Sequence, residues 1–284
     1  MRTSSYWFYL LISMTLLGCS EGEADPILTP QSILDQINDN YILMPERAIS
    51  ISSDSTVFAF YTEPTERYAH GILGDQVEGG QLVVVKDGVF YELTLADNYV
   101  FEDIRPRFYD VDQDGELEFV ALRTEITRGA GIVIYKLVDG QIVVYTELEE
   151  IGRSNRWLNI VAIQDLDMDG QVEISWIETP HIGGVLKVAD VEKDELIVLD
   201  QVSGYSNHAI GERNLCLSVV TRQNDQTMIF VPNQSRSKIG GFSFSNDKLE
   251  LVSELDIQID FAQVLSAQYK FEGVVMQEEH NCIF

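Results

Sequence analysis

Asp110-Val111-Asp112-Gln113-Asp114-Gly115-Glu116-Leu117-Glu118 decides how this chain is read, because its spacing returns in Asp165-Leu166-Asp167-Met168-Asp169-Gly170-Gln171-Val172-Glu173. Each copy places carboxylates at positions 1, 3, 5 and 9, with Gly at position 6. A tight loop of this form turns alternate side chains toward one centre, and Gly allows positive φ at the sharp bend. A hard Ca²⁺ ion takes roughly six to eight oxygens at about 2.3–2.6 Å, supplied by carboxylates and a backbone carbonyl. The spacing predicts two Ca²⁺ sites. Asp110, Asp112, Asp114 and Glu118 serve the first through their side chains, and Asp165, Asp167, Asp169 and Glu173 serve the second. Glu116 and Gln171, at position 7, offer only backbone carbonyls.

An EF-hand opens on the same pattern but needs Glu at position 12 and a helix on each side. Position 12 is Ala121 in the first copy and Trp176 in the second. The flanks are Arg107-Phe108-Tyr109, Phe119-Val120-Ala121, Ile160-Val161-Ala162-Ile163 and Ile174-Ser175-Trp176-Ile177. They are rich in β-branched and aromatic residues, which favours strands. The plain alternative is an acidic hairpin turn that binds no metal. Recurrence of the whole pattern with matching flanks argues against it.

Outward from the loops the chain repeats in units of strand A, loop, strand B, loop, strand C, tight turn, strand D. In the second unit these are Arg107–Tyr109, Leu117–Arg123, Gly131–Leu137 and Gln141–Thr146, with Asp139-Gly140 as a hairpin signal. The third has strands at Leu158–Ile163, Val172–Ile177, Val185–Val188 and Leu196–Leu199. The first replaces the acidic loop by Ser52-Ser53-Asp54-Ser55 and turns again at Lys86-Asp87-Gly88. The fourth has strand A at Leu215–Val220, a loop at 221–226 and a turn at Asn246-Asp247. A partial fifth is expected at Ala262–Tyr269 and Gly273–Gln277. Four-stranded units at this spacing predict an all-β fold, a β-propeller of antiparallel blades. Five blades are expected, the last completed by strands from residues 27–46, because an open ring leaves strand edges unpaired. A β-sandwich of similar strand count is the competing architecture.

The acidic loop between strands A and B, followed by the Gly-rich approaches Gly129-Ala130-Gly131, Gly183-Gly184 and Gly240-Gly241, resembles the FG-GAP and VCBS repeat proteins, whose blades also build the integrin α head. The resemblance spans about residues 47–277. It implies that the loop metal is structural, rigidifying the A–B turn.

Of 284 residues, 45 % are hydrophobic, which is enough for a sizeable core. Lys and Arg number 19 against 46 Asp and Glu, a net charge of −27, which opposes nucleic-acid binding. Arg2, the apolar run Tyr6–Leu17 and Leu16-Leu17-Gly18-Cys19 resemble a lipoprotein signal peptide at residues 1–18. Lipidated Cys19 then begins a mature chain whose residues 19–46 are an acidic tether and ring-closing segment, followed by a repeat domain over 47–284. Ser20 favours the bacterial outer membrane, facing either the periplasm or the exterior, with membrane contact through the lipid alone. Export permits a disulfide between Cys216 and Cys282, and two separate thiols are the alternative.

His70, His181, His208 and His280 follow no metalloprotease spacing, and no nucleophile elbow or phosphate loop is present. In a propeller the B–C and D–A loops share the face opposite the acidic loops. There the sequence presents His70, Arg128, Asn155, Arg156, Trp157, His181, Asn207, His208 and Lys238. Arg forks bind carboxylates and Trp offers flat contact area. The favoured expectation is a calcium-stabilised, non-catalytic envelope lipoprotein that binds a protein or glycan on this face. The alternatives are a carbohydrate-active enzyme or accessory module, and a scaffold within an envelope complex.

Overall fold

Alternating β-branched and aromatic stretches, each stopped by Gly, Asp or Asn, fold into short antiparallel strands. The computed structural model describes residues 29–223 and 226–256. Among the described residues a helix, α1 (Pro30–Asn40), comes first. The first unit is β1 (Ser50–Ile51), β2 (Val57–Thr65), β3 (Glu78–Lys86) and β4 (Val89–Thr94), followed by a short β5 (Tyr99–Phe101). The second is β6 (Arg107–Tyr109), β7 (Glu118–Glu125), β8 (Gly129–Val138) and β9 (Gln141–Glu147). The third is β10 (Leu158–Gln164), β11 (Glu173–Glu178), β12 (Val185–Glu192) and β13 (Glu195–Ser203). The fourth is β14 (Val219–Gln223), β15 (Gln226–Pro232), β16 (Lys238–Ser245) and β17 (Lys248–Asp256).

The described residues form three antiparallel sheets. The third and fourth units are separate four-stranded sheets in strand order. The first two join into one nine-stranded sheet through β5, which pairs Phe101 with Gly79 of β3 and Tyr99–Phe101 with Arg123–Glu125 of β7. The sequence gives no sign of this bridge. The hairpins between the third and fourth strands of units two, three and four each carry a register shift, at Ile134/Tyr135, Val188/Ala189 and Gly241/Phe242. A bulge repeated in one place bends and twists each sheet alike.

The units pack face to face in chain order. Tyr61, Leu82 and Val84 of the first meet Phe119, Val133 and Tyr135 of the second. Val120, Ile132 and Ile134 then meet Ile160, Ile174 and Trp176. Ile177, Leu186 and Val188 meet Ile229, Val231 and Phe242. Each fully buried aliphatic or aromatic side chain contributes about 1.5–3 kcal/mol.

Two expectations are corrected. The segment meant to close a ring is helical over residues 30–40. Thr29 caps α1, accepting from the Ser32 amide, and Pro30 fits the first turn, where no N–H partner is needed. Ile33 and Ile37, one turn apart, bury against Phe58, Phe60, Val83 and Val85 on the outer face of the first unit. The described residues therefore show neither a closed ring nor five blades. Strand β14 also begins at Val219 rather than Leu215, because the 205–218 connection runs across the loop face before it enters the sheet. The fifth unit, the signal peptide, Cys19 and Cys282 lie outside the described residues. Cys216 is disulfide-bonded.

Candidate functional site

The two acidic loops take one backbone form. In each, the carboxylate at position 1 accepts from the Gly amide at position 6, Gly115 to Asp110 at 3.0 Å and Gly170 to Asp165 at 3.2 Å. The carboxylate at position 5 accepts from the amide at position 7, at 2.9 Å for Asp114 and 2.7 Å for Asp169. The buried Glu at position 9 accepts from the amide at position 2, Val111 to Glu118 and Leu166 to Glu173. Positive φ falls at positions 4 and 6 of both loops.

Asp165, Asp167, Asp169 and Glu173 bring carboxylate oxygens within 4.8 Å of one another, as do Asp110, Asp112 and Glu118. In each cluster only the Glu is buried, and such a set of carboxylates could hold a metal ion. Burial first, then the neighbouring Asp167, Asp165 and Asp190, pushes the Glu173 carboxyl up to about 8. The second loop thus crowds like charges and fits a cation. In the first loop Asp114 stands apart from the cluster and binds Lys136.

On the opposite face, the loops between strands assemble a second cluster that the sequence only half reveals. Its centre is buried Trp157, whose Nε1 donates to the Glu102 carbonyl at 2.9 Å. The Trp157 ring stacks on His181 at 6.1 Å and 10°, and lies 4.8 Å from the His208 ring. His181 Nε2 lies 2.9 Å from His208 Nδ1, and His208 Nε2 lies 2.7 Å from the Glu212 carbonyl oxygen. A carbonyl only accepts, so His208 Nε2 carries a proton. Burial lowers both imidazoles to about 4, and neighbouring His208, His70 and Arg236 lower His181 further in the same direction. Both are neutral at pH 7. His208 Nδ1 is then the acceptor, His181 Nε2 donates to it, and His181 Nδ1 keeps a free lone pair. The proton positions follow from this network.

His70 joins from the loop after β2. Its Nδ1 lies 2.5 Å from Glu102 Oε1, while Glu102 Oε2 accepts from Thr124 Oγ1 at 2.7 Å. Glu102 is fully buried. Burial raises its pKa, and the bond to His70 opposes that rise. Glu78, also buried, is pushed up to about 10 by burial and by the Glu102 charge. Tyr68 places its ring edge-on to His70 and accepts from the Asn155 amide at 2.8 Å.

Glycine makes this convergence possible. Gly129 has φ +85°, and a Cβ there would meet the carbonyl oxygens of Arg153 and Arg156 at 2.5 and 2.8 Å. Gly184 likewise lies under the Tyr205 carbonyl. The Gly-rich approaches to strand C are where the connections between units cross the sheet ends.

Of the residues expected on this face, Trp157, His181 and His208 come together, with the Asn155 backbone beside them. Arg156 instead donates to the Asn155 carbonyl, Lys238 pairs with Glu254, and Arg128 lies out toward Glu149 and Glu150. Asn207 is buried, and its amide reaches the Asn159 carbonyl and Ser218. Glu102, Glu78, Tyr68 and Arg236 were not legible as members. No motif marks them, and loops from separate units deliver them.

No protein-family model matches the chain, and no curated protein sequence does, so the FG-GAP and VCBS resemblance does not extend to shown membership. Among solved structures, the exotype rhamnogalacturonan lyase YesX is similar at 13 % identity and TM-score 0.42, over 76 % of this chain and 50 % of that one. This chain therefore spans half the length of the lyase. An endo-arabinase from Bacteroides thetaiotaomicron is similar at 11 % identity and TM-score 0.38, over 77 % of this chain and 85 % of that one. By their descriptions both are enzymes, and the expectation of a non-catalytic partner-binding lipoprotein is not kept.

Proposed function

We propose that the chain is a carbohydrate-active enzyme whose proton transfers are carried by His181 and His70. The observation that carries this reading is the pair of differently supported imidazoles on one face. His181 is held neutral by burial, with Nδ1 free to accept a proton. His70 is braced by the buried Glu102 carboxylate, which orients the ring. Two imidazoles with different partners can divide the roles of base and acid. Trp157 positions both rings by packing and through its bond to the Glu102 backbone. The carbohydrate substrate class rests on the resemblance of the acidic loops to repeats that also occur in polysaccharide-degrading proteins.

The acidic loops serve this reading as structure. The second loop holds Ca²⁺, because its donors are hard carboxylate oxygens in a tight turn. A five-bladed ring and lipid anchoring through Cys19 at the outer membrane belong to the same proposal.

The test is turnover of the full chain on a panel of polysaccharides, with His181→Ala and His70→Ala beside it. Each variant is expected to lose about 10²–10⁴-fold in kcat while the circular dichroism spectrum is retained. The free enzyme's acid limb is expected near pH 4, where His181 gains the proton that disables it as a base. Absence of turnover on the whole panel, or full activity in both variants, would sink the proposal.

A further inference from the structure

The two acidic loops differ at one position across the sheet. In the third unit Glu173 pairs with Asp190 of β12. In the second unit the register ends at Phe119 opposite Tyr135, so the next residues, Glu118 and Lys136, occupy the matching place. Lys136 Nζ lies 2.6 Å from Asp112 Oδ2, 2.6 Å from Asp114 Oδ2 and 3.0 Å from Glu118 Oε1. Asp112 and Asp114 each accept a hydrogen bond from the ammonium, and Glu118 stands within ion-pair distance of it. Three of the four side chains expected to bind metal in this loop therefore already hold a cation. No ion pair to Asp165, Asp167, Asp169, Glu173 or Asp190 is found among the described residues.

We infer that Lys136 is a tethered cation standing where the second unit's loop would hold a metal. That loop needs no divalent ion, and the chain's metal requirement falls on the third unit alone. Counting the side chains at the two places makes the difference plain. Four carboxylates and one ammonium stand at the first, and five carboxylates at the second. Occupation by Lys136 is incomplete, because buried Asp110 Oδ1 and Glu118 Oε1 have no hydrogen-bond partner. Removing the ammonium should leave a loop that accepts a metal. The second half of the inference rests on the reading of the third unit's loop as a Ca²⁺ site.

Calcium titration calorimetry on the full chain, after chelator treatment, tests both halves. The native chain is expected to bind one Ca²⁺, Lys136→Met two, and Lys136→Arg one. Asp167→Ala is expected to bind none, and the Lys136→Met/Asp167→Ala double variant one. Two ions bound by the native chain, or no gain in Lys136→Met, overturns the tethered-cation inference. No ion in the native chain with one gained in Lys136→Met supports that inference and rejects only the Ca²⁺ reading of the third unit. Where Lys136→Met does not fold after chelation, its unfolding midpoint in Ca²⁺ replaces the titration. Rescue by Ca²⁺ supports the inference, and failure of rescue opposes it.

Discussion

The loop at Asp110–Glu118 and the loop at Asp165–Glu173 are built alike and charged differently. Their turn hydrogen bonds and positive-φ positions coincide. The contrast comes from the neighbouring strand, where Lys136 stands in one unit and Asp190 in the next. A local motif fixes the shape of a loop and the direction of its carboxylates. Whether those carboxylates have spare charge for a metal depends on a residue well outside the motif.

The contrast can be broken hardest at Lys136. Lys136→Met leaves the fully buried Glu118 among other acids with no counter-charge. It should destabilise the metal-free protein by about 3–5 kcal/mol, as loss of one partner of a buried ion pair does. Urea unfolding in chelator measures this, and an unchanged midpoint would show that the ammonium neutralises nothing of consequence.

The reverse exchange is Asp190→Lys, which gives the third unit the cation that the second possesses. A ligand bound only by the folded state stabilises it by about 2.7 kcal/mol at a hundredfold excess over Kd. Asp190→Lys should abolish that Ca²⁺-dependent increment while raising stability in chelator. Thermal unfolding with and without Ca²⁺ reads both. A Ca²⁺ increment that survives would mean that the cross-strand residue does not set the loop's charge.

Smallest is a test of likeness. Gly115 and Gly170 have φ of +91° and +94°, and a Cβ at either would meet nothing within 4 Å. Ala at each position should cost about 1–2 kcal/mol from backbone conformation alone. The two costs should match in chelator, as read by denaturant unfolding. Unequal costs would mean that the loops are not the same local structure.

Strand order within each unit was legible because period-two patterning and Asp-Gly turns act over a few residues. Lys86-Asp87-Gly88 and Asp139-Gly140 turn where expected, and β6 spans Arg107–Tyr109 as read. The helix at 30–40 was not distinguished from a strand. Its apolar signal is only Ile33, Leu34 and Ile37, and it becomes stable by packing on Phe58 and Phe60. Bridging β5 was invisible because three residues carry no periodicity. His181 and Trp157 stood out by type, whereas Glu102 is one acid among 46.

By itself the sequence determined the acidic turns, the repeat of four strands and the sign of the surface charge, since each depends on neighbouring residues or on a sum over the chain. The tertiary structure decided which charges have partners and which imidazoles meet. Lys136 reaches Glu118 only across a sheet, His181 and His208 meet only against Trp157 from another connection, and His70 is joined to them through Glu102. Coulombic and hydrogen-bond energies depend on distance and burial, and no spacing along the chain encodes either for residues brought together from different sheets.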